Sequence, residues 1–423
     1  MPTNIAYGSP LANKSQSVGL FATCTQRLST INRLTGSFPK QADTEKKLRN
    51  QTSSDYPIVR CMDLTRMAGD EVTFDLVNHI GGKPIMGGKM AEGRGTSMSL
   101  DQDKLRINQT RKPVSAGDTM TQQRTPHDLR QLSRAAAFGY MERLDDQLAL
   151  VHMAGARGFH NNPEWVVPLN TDADFADICI NPVKAPSYNR HFFASGNYLK
   201  SPVAAGNEVT IATTDQMSLS VVDSIRAMID DMAFPPMPCK FDGDELANDE
   251  PIRVLLVSAL QYSSFIQSGS FRTLQSNAIN RAAMAKQNPL FRGEAGLWNG
   301  IMIVKMPKPI RFYSGQALRW CPSATSETES ATDLVPASFG TTYAVDRAIL
   351  LGAQALGEAL GKHNKSGIPY FWSEKELDHG DKLEVLVGKI GGYSKIRFDL
   401  DFGDAGIQPT DHGVIAIDTA VKL

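Results

Sequence analysis

The side chains most able to do chemistry lie in a glycine-rich, charged stretch, HIGGKPIMGGKMAEGRG, at residues 79–95. A phosphate-cradling loop needs Gly, four residues, then Gly-Lys-Ser or Gly-Lys-Thr. Gly82 and Gly87 have that spacing, but Gly88 stands where the lysine belongs and Met90 follows Lys89. The dinucleotide fingerprint fails too, because a strand pattern rather than a helix follows. The eight histidines form neither HExxH nor a paired metal spacing. Asp378-His379-Gly380-Asp381 and Asp411-His412-Gly413 read as turns, since Asp and Gly suit turn backbones. Asp399, Asp401 and Asp404 miss the calcium-loop pattern and its closing glutamate. No GxSxG elbow occurs. Cys24, Cys61, Cys179, Cys239 and Cys321 are odd in number and scattered, which argues against a disulfide framework or zinc cluster and fits a reducing compartment. Arg311-Phe312-Tyr313 and Arg319-Trp320 read as strand ends with solvated arginines before they read as a base-stacking platform. No catalytic residue, metal site or cofactor emerges.

The elements that carry these residues are clearer. Residues 126–158 hold the longest helical pattern, with Pro126 suited to a first turn and Asp128 to the positive helix end. Leu129, Leu132, Ala136, Tyr140, Leu144, Leu148 and Val151 recur at three- and four-residue spacing and are expected to pack as one face. Arg130, Arg134, Arg143, Asp145 and Asp146 occupy the other, and Gly155 and Gly158 end the rod. Ahead of it, strand patterns at 58–62 and 71–77, then at 97–100 and 105–109, flank the glycine-rich stretch and make a long hairpin. Residues 1–55 are polar, with short apolar clusters, and read as an arm that orders against a neighbour.

Beyond the rod, residues 159–200 are loop-rich. Helices are expected at 215–233, 259–267 and 271–286, strands at 252–257 and 297–304, and an acidic surface loop at 321–336. Residues 343–362, YAVDRAILLGAQALGEALGK, read as a small-residue helix, and strands return at 383–387, 395–398 and 413–417. The mixed order predicts an α+β fold.

Charge is balanced, with 44 Lys and Arg against 45 Asp and Glu, so no global field draws the chain to nucleic acid or membrane. Residues 1–150 carry 20 basic and 15 acidic side chains, a mild basic bias. No apolar run has membrane-spanning length, and the start lacks a signal-peptide pattern.

Three stretches together carry a resemblance: MDLTRMAGDEVTFDLVNHIGGKPIMGG, DLRQLSRAAAFGYMERLDDQLALVHMAGARG, and RAILLGAQALGEALGK with KIGGYSKIRFDLDFGDAGIQPTDHGVIAIDTAVK. They cover about half of the chain and resemble the N4-like phage major coat protein family, with the Hong Kong 97-type capsid fold of tailed bacteriophages. The resemblance implies a shell protein that forms hexamers and pentamers around double-stranded DNA, in the virion and, during assembly, the host cytoplasm. It implies a division into an arm (1–55), strands with an extended loop (56–125, tip 79–95), a spine helix and peripheral domain (126–200), an axial domain (201–362) and return strands to the peripheral domain (363–423). Partners would be the chain itself, portal, scaffold and cement or decoration proteins, and DNA bound without sequence preference. Subunit contact would fall to Gly81, Gly82, Lys83, Gly87, Gly88, Lys89, Glu92 and Arg94, the glycines serving as hinges. The namesake phage joins its subunits through a lysine and an asparagine; Lys83 or Lys89 is placed for the first role, no partner stands out for the second, and noncovalent assembly is the default. A scaffold would be a separate protein, or absent, because the spine begins too early for a large fused domain ahead of the arm. The competing readings are a nanocompartment shell of the same fold and a soluble enzyme with a site in 205–345.

Overall fold

The computed structural model describes residues 52, 55–62, 64, 69–77, 85–86, 90, 92, 100–202, 209–239, 252–267, 296–325, 331–364, 367–402 and 406–423. In chain order its strands are β1 (Ile58–Cys61), β2 (Glu71–Val77), β3 (Leu100–Arg106), β4 (Asn108–Asp118), β5 (His191–Ser195), β6 (Tyr198–Lys200), β7 (Arg253–Val257), β8 (Gly296–Trp298), β9 (Ile301–Lys305), β10 (Arg311–Tyr313), β11 (Ala317–Trp320), β12 (Ala331–Leu334), β13 (Tyr343–Leu351), β14 (Leu356–Leu360), β15 (Tyr370–Leu377), β16 (Lys382–Lys395), β17 (Arg397–Asp401), β18 (Ile407–Asp411) and β19 (Val414–Lys422).

Two sheets organise these strands. In a five-stranded sheet β14 and β15 lie end to end along one side of β16, with β1 beside β14, and β4 lies along the other side. An eight-stranded sheet runs β6-β5-β19-β13-β7-β9-β8, with β10 on β13. The long helix, Leu129–Ala154, packs on β16 and β4 and reaches β13, so it joins the two. Its Met141, Leu144, Leu148 and Val151 share a core with Val387 and Tyr393 of β16, Leu356 of β14 and Val345 and Ile349 of β13. The opposite face of the eight-stranded sheet, with Ala348, Leu350, Ile415 and Ile417, packs on the helices Leu219–Asp231 and Ala259–Gln267. Residues alternate between the two cores along β13 because strand side chains alternate faces.

The long helix starts later than the proline suggests. Asp128 is its cap, accepting from the Gln131 amide at 3.1 Å, and Pro126 lies outside the first turn. A side-chain acceptor satisfies an otherwise orphaned amide, which proline does not do. At the other end Gly155 takes a left-handed conformation at φ 67°, and a Cβ there would meet the Lys184 carbonyl at 2.6 Å.

The expected helix at 343–362 is β13, a turn and β14 instead. β13 pairs with β19 over nine residue pairs and also with β7 and β10. Both of its faces are buried, so a continuous apolar run replaces alternation and mimics a helix pattern. The small residues of β14 admit neighbours: a Cβ on Gly357 would meet the Phe74 ring at 2.9 Å. The strand expected at 297–304 is a hairpin, β8 and β9, turning at Asn299 and Gly300, both at positive φ. The expected surface loop at 321–336 contributes β12, which pairs with β11. The helix expected at 271–286 lies outside the described residues.

The strand grouping crosses the expected boundaries. β14, from the stretch assigned to 201–362, sits in the five-stranded sheet beside β1, while β19, from 363–423, lies in the eight-stranded one. Parallel pairing of β1 with β14 and of β5 with β19 brings these distant segments together. Among the described residues no helix is long and apolar enough to cross a membrane.

Candidate assembly surfaces and the buried charges behind them

The extended hairpin is built at its root as the sequence predicts. β2 and β3 pair antiparallel over seven residue pairs, Glu71↔Arg106 to Val77↔Leu100. Two carboxylates on β3 fix this root to β17: Asp101 accepts from the Asp399 amide at 2.6 Å, and Asp103 from the Arg397 amide at 2.9 Å. Lys184 closes on Asp103 at 2.7 Å. Of the eight loop residues expected to contact a neighbour, Glu92 is described, as an exposed turn residue. Gly81, Gly82, Lys83, Gly87, Gly88, Lys89 and Arg94 lie outside the described residues. Around Glu92, Met86 is 70% exposed and Met90 67%.

The expected packing face of the long helix holds only in its second half. Leu144, Leu148 and Val151 are buried, whereas Leu132 is 54% exposed, Ala136 is exposed, and Leu129 and Tyr140 are half-buried. Ser133, Ala137 and Met141 face inward in the first half, so the buried stripe is displaced by one position there. Ser133 tolerates burial because its hydroxyl donates to the Leu129 carbonyl at 2.7 Å. Several of the helix's charged residues are paired within the subunit. Arg130 and Arg134 both pair with Glu374 of β15, and these bonds hold that carboxyl down at about 2. Asp145 bonds Lys389 at 3.0 Å and accepts from the Tyr370 hydroxyl at 3.1 Å, while burial pushes its pKa up.

Behind these surfaces, among the described residues, lie four carboxylates that are exposed by 1% or less. Asp418 takes both Arg347 Nε and Nη2, at 2.7 and 2.8 Å, and His191 Nε2 at 2.6 Å. Arg347 also donates to the Ala154 carbonyl at 3.2 Å, which ties the end of the long helix to the eight-stranded sheet. Asp346 is paired by Arg311 at 2.7 Å. Asp411 joins Lys395 at 2.6 Å and Arg397 at 2.8 Å. Glu358 joins Arg60 and Lys389, the latter at 3.0 Å. Burial would raise the Glu358 and Asp411 pKa values, but the cations beside them hold both at about 2. Lys395 is lowered to about 7, burial outweighing Asp411. Arg311, expected to be solvated, is thus in a buried ion pair, and Trp320 is fully buried. The signal in the sequence was an ionisable residue inside an apolar run: Arg347 in YAVDRAILL, Glu358 in LGEAL, Asp418 in VIAIDTAV.

Each of these groups has a structural partner, and among the described residues no cluster of three or more His, Cys, Asp or Glu is arranged to hold a metal ion. Asp378, His379 and Gly380 form a short 3-10 turn between β15 and β16. The described cysteines are buried and none of them is in a disulfide.

A hairpin reaching out from a body of two sheets bridged by one long helix defines the Hong Kong 97-type capsid fold. The chain belongs to the phage capsid protein family, whose model matches residues 4–423. It is 25% identical over 358 residues to the major capsid protein of Pseudomonas phage KPP25, covering 82% of this chain and 83% of that one. The capsid of Ralstonia phage GP4 is similar over all of this chain and 99% of its own, at 26% identity and a TM-score of 0.69. The capsid of Helicobacter pylori bacteriophage KHP30 shares the fold at 13% identity, with a TM-score of 0.56 over 98% of this chain and 99% of that one. The protein is a phage major capsid protein, a part of the virion capsid that associates with copies of itself.

Proposed function

We propose that this subunit assembles as hexamers and pentamers into an icosahedral shell around double-stranded DNA, without catalysis. The observation that carries this reading is the whole-length similarity to the capsid of Ralstonia phage GP4. Balanced charge suits an inner wall that must not grip DNA during packaging. Portal, scaffold and decoration proteins complete the particle in this reading. The arm (1–55), loop (56–125), spine (126–200), axial (201–362) and return (363–423) divisions describe the subunit's working parts, with β14 and β19 exchanged between sheets.

The loop tip works by covering a neighbour. Its exposed Met86 and Met90 meet the outward Leu132 and Ala136 of the next long helix, while Lys83, Lys89, Glu92 and Arg94 make flanking charge contacts. Exposed methionine adapts to differently curved contacts. The test is expression of the chain with and without residues 80–95, followed by sedimentation and negative-stain microscopy. Full-length chain, alone or beside its phage's scaffold and portal genes, forms shells or capsomer rings, and the deleted chain stays a folded monomer. Normal shells from the deletion would overturn the loop assignment.

A further inference from the structure

Ile180 is a β-branched residue held at φ 63° and ψ −59°. The Asn181 amide donates to the Cys179 carbonyl at 2.6 Å, so residues 179–181 form a γ-turn of the rare, strained hand. A side chain branched at Cβ crowds the backbone in that region. Strain of this kind persists only where surrounding contacts over-determine it. Here His152 Nε2, on the long helix, donates to the same Cys179 carbonyl at 3.3 Å. Asn181 is 4% exposed; its side-chain oxygen accepts from the Arg106 amide, and its Nδ2 donates to the carbonyls of Arg106 and Tyr393, each at 2.9 Å. Pro182 steers Asn181 away from helical backbone angles, so the reversal of direction falls on Ile180.

The residue gripped by Asn181 lies at a joint. Arg106 ends β3 and Asn108 begins β4, so the hairpin leaves the five-stranded sheet at Ile107. Gly392 of β16 lies directly against this joint, and a Cβ there would collide with the Arg106 carbonyl. Lys184, in the same segment as Asn181, holds Asp103 of β3 at 2.7 Å. Residues 179–184 therefore grip β3 at two places, Arg106 and Asp103, while Asp101 and Asp103 rest on the β17 amides.

We propose that residues 179–184 are a strained latch on this joint. Closed, the γ-turn sets the direction in which the hairpin leaves the subunit. Open, Ile180 relaxes to ordinary backbone angles, Asn181 releases Arg106 and the root of the hairpin lifts from β17. Strain in the closed form lowers the cost of opening, which gives the hairpin two arrangements instead of one fixed pose. Glycine would hold the same turn without strain and keep the latch shut. The latch is a property of the single subunit; only its use in placing the loop on a neighbour rests on the shell reading above.

The test is residue-resolved hydrogen exchange on the free full-length chain. The Arg397 and Asp399 amides donate to β3 and not to the latch itself, so they report whether the root lifts. Asn181→Ala is expected to speed their exchange by about tenfold or more and Ile180→Gly to slow it by about threefold or more, while amides paired between β13 and β19 keep wild-type rates. Asn181→Asp, which keeps the acceptor and loses both donated bonds, gives the same comparison where the alanine variant fails to fold. Wild-type rates at Arg397 and Asp399 in the Asn181 variants, or exchange that Ile180→Gly leaves unchanged or hastens, overturn the latch and leave the shell reading standing. Equal acceleration across β13 and β19 in the Asn181 variants overturns it too, because the residue would then act on overall stability. Failure of the wild-type chain to form any particle beside its phage partners overturns the shell reading and leaves the latch standing.

Discussion

The two halves of the long helix obey different rules. From Leu144 to Ala154 nearly every side chain is buried, polar Gln147 and His152 included, and the helix end is held by Arg347 through Asp418. From Leu129 to Tyr140 only Ser133 and Ala137 are buried, while Leu132, Ala135, Ala136 and Phe138 face outward. One half is the interior of a subunit. The other is apolar surface that, in the proposed shell, a second copy covers. On that proposal folding and assembly fall to different turns of one helix.

Changes in the buried half should cost stability in proportion to what they strand. Asp418→Asn leaves Arg347 without its charge partner, and a loss of about 3–5 kcal/mol in urea unfolding is expected. A change below 1 kcal/mol would show that the pair does not anchor the helix end. Leu148→Ala removes a core side chain shared by both sheets, with an expected cost of about 2–5 kcal/mol in the same measurement.

Acid should act on the buried interior as well. His152 and His412 are lowered by burial to about 4, so they fold neutral while the unfolded chain binds protons below about 6.5. Their contribution is present above 6.5 and is lost as pH falls toward 4. Asp411 and Glu358, held near 2, add a second loss between about 4 and 2. Urea midpoints measured from pH 7 to 3 should therefore fall in two stages. His152→Gln should flatten the upper one.

The smallest effect on stability belongs to the outer half. Leu132→Asp changes an exposed position, and its unfolding free energy should stay within about 0.5 kcal/mol of wild type. Its consequence is expected in assembly alone.

The same contrast marks what could be read from the sequence. The hairpin root, the helix Ala259–Gln267 and the strand Arg253–Val257 follow from local pattern, because alternation and capping act over a few residues. The helix stripe was traced correctly where it is core and incorrectly where it is surface, since apolar periodicity reports what must be covered and not by which molecule. Residues 343–362 misled for a related reason: burial on both faces erases the period of two, and Gly357 and Ala359 meet side chains brought from β2 and its neighbours by long-range pairing. The buried ion pairs join residues as far apart as Arg60 and Glu358, so only an ionisable residue within an apolar run announced them.

Sedimentation velocity of the Leu132→Asp chain beside wild type, under one assembly condition and with urea midpoints taken on both, tests the division most directly. The account predicts shells or capsomer rings from wild type and a folded monomer of equal stability from the variant. Wild-type-like particles from Leu132→Asp would contradict it.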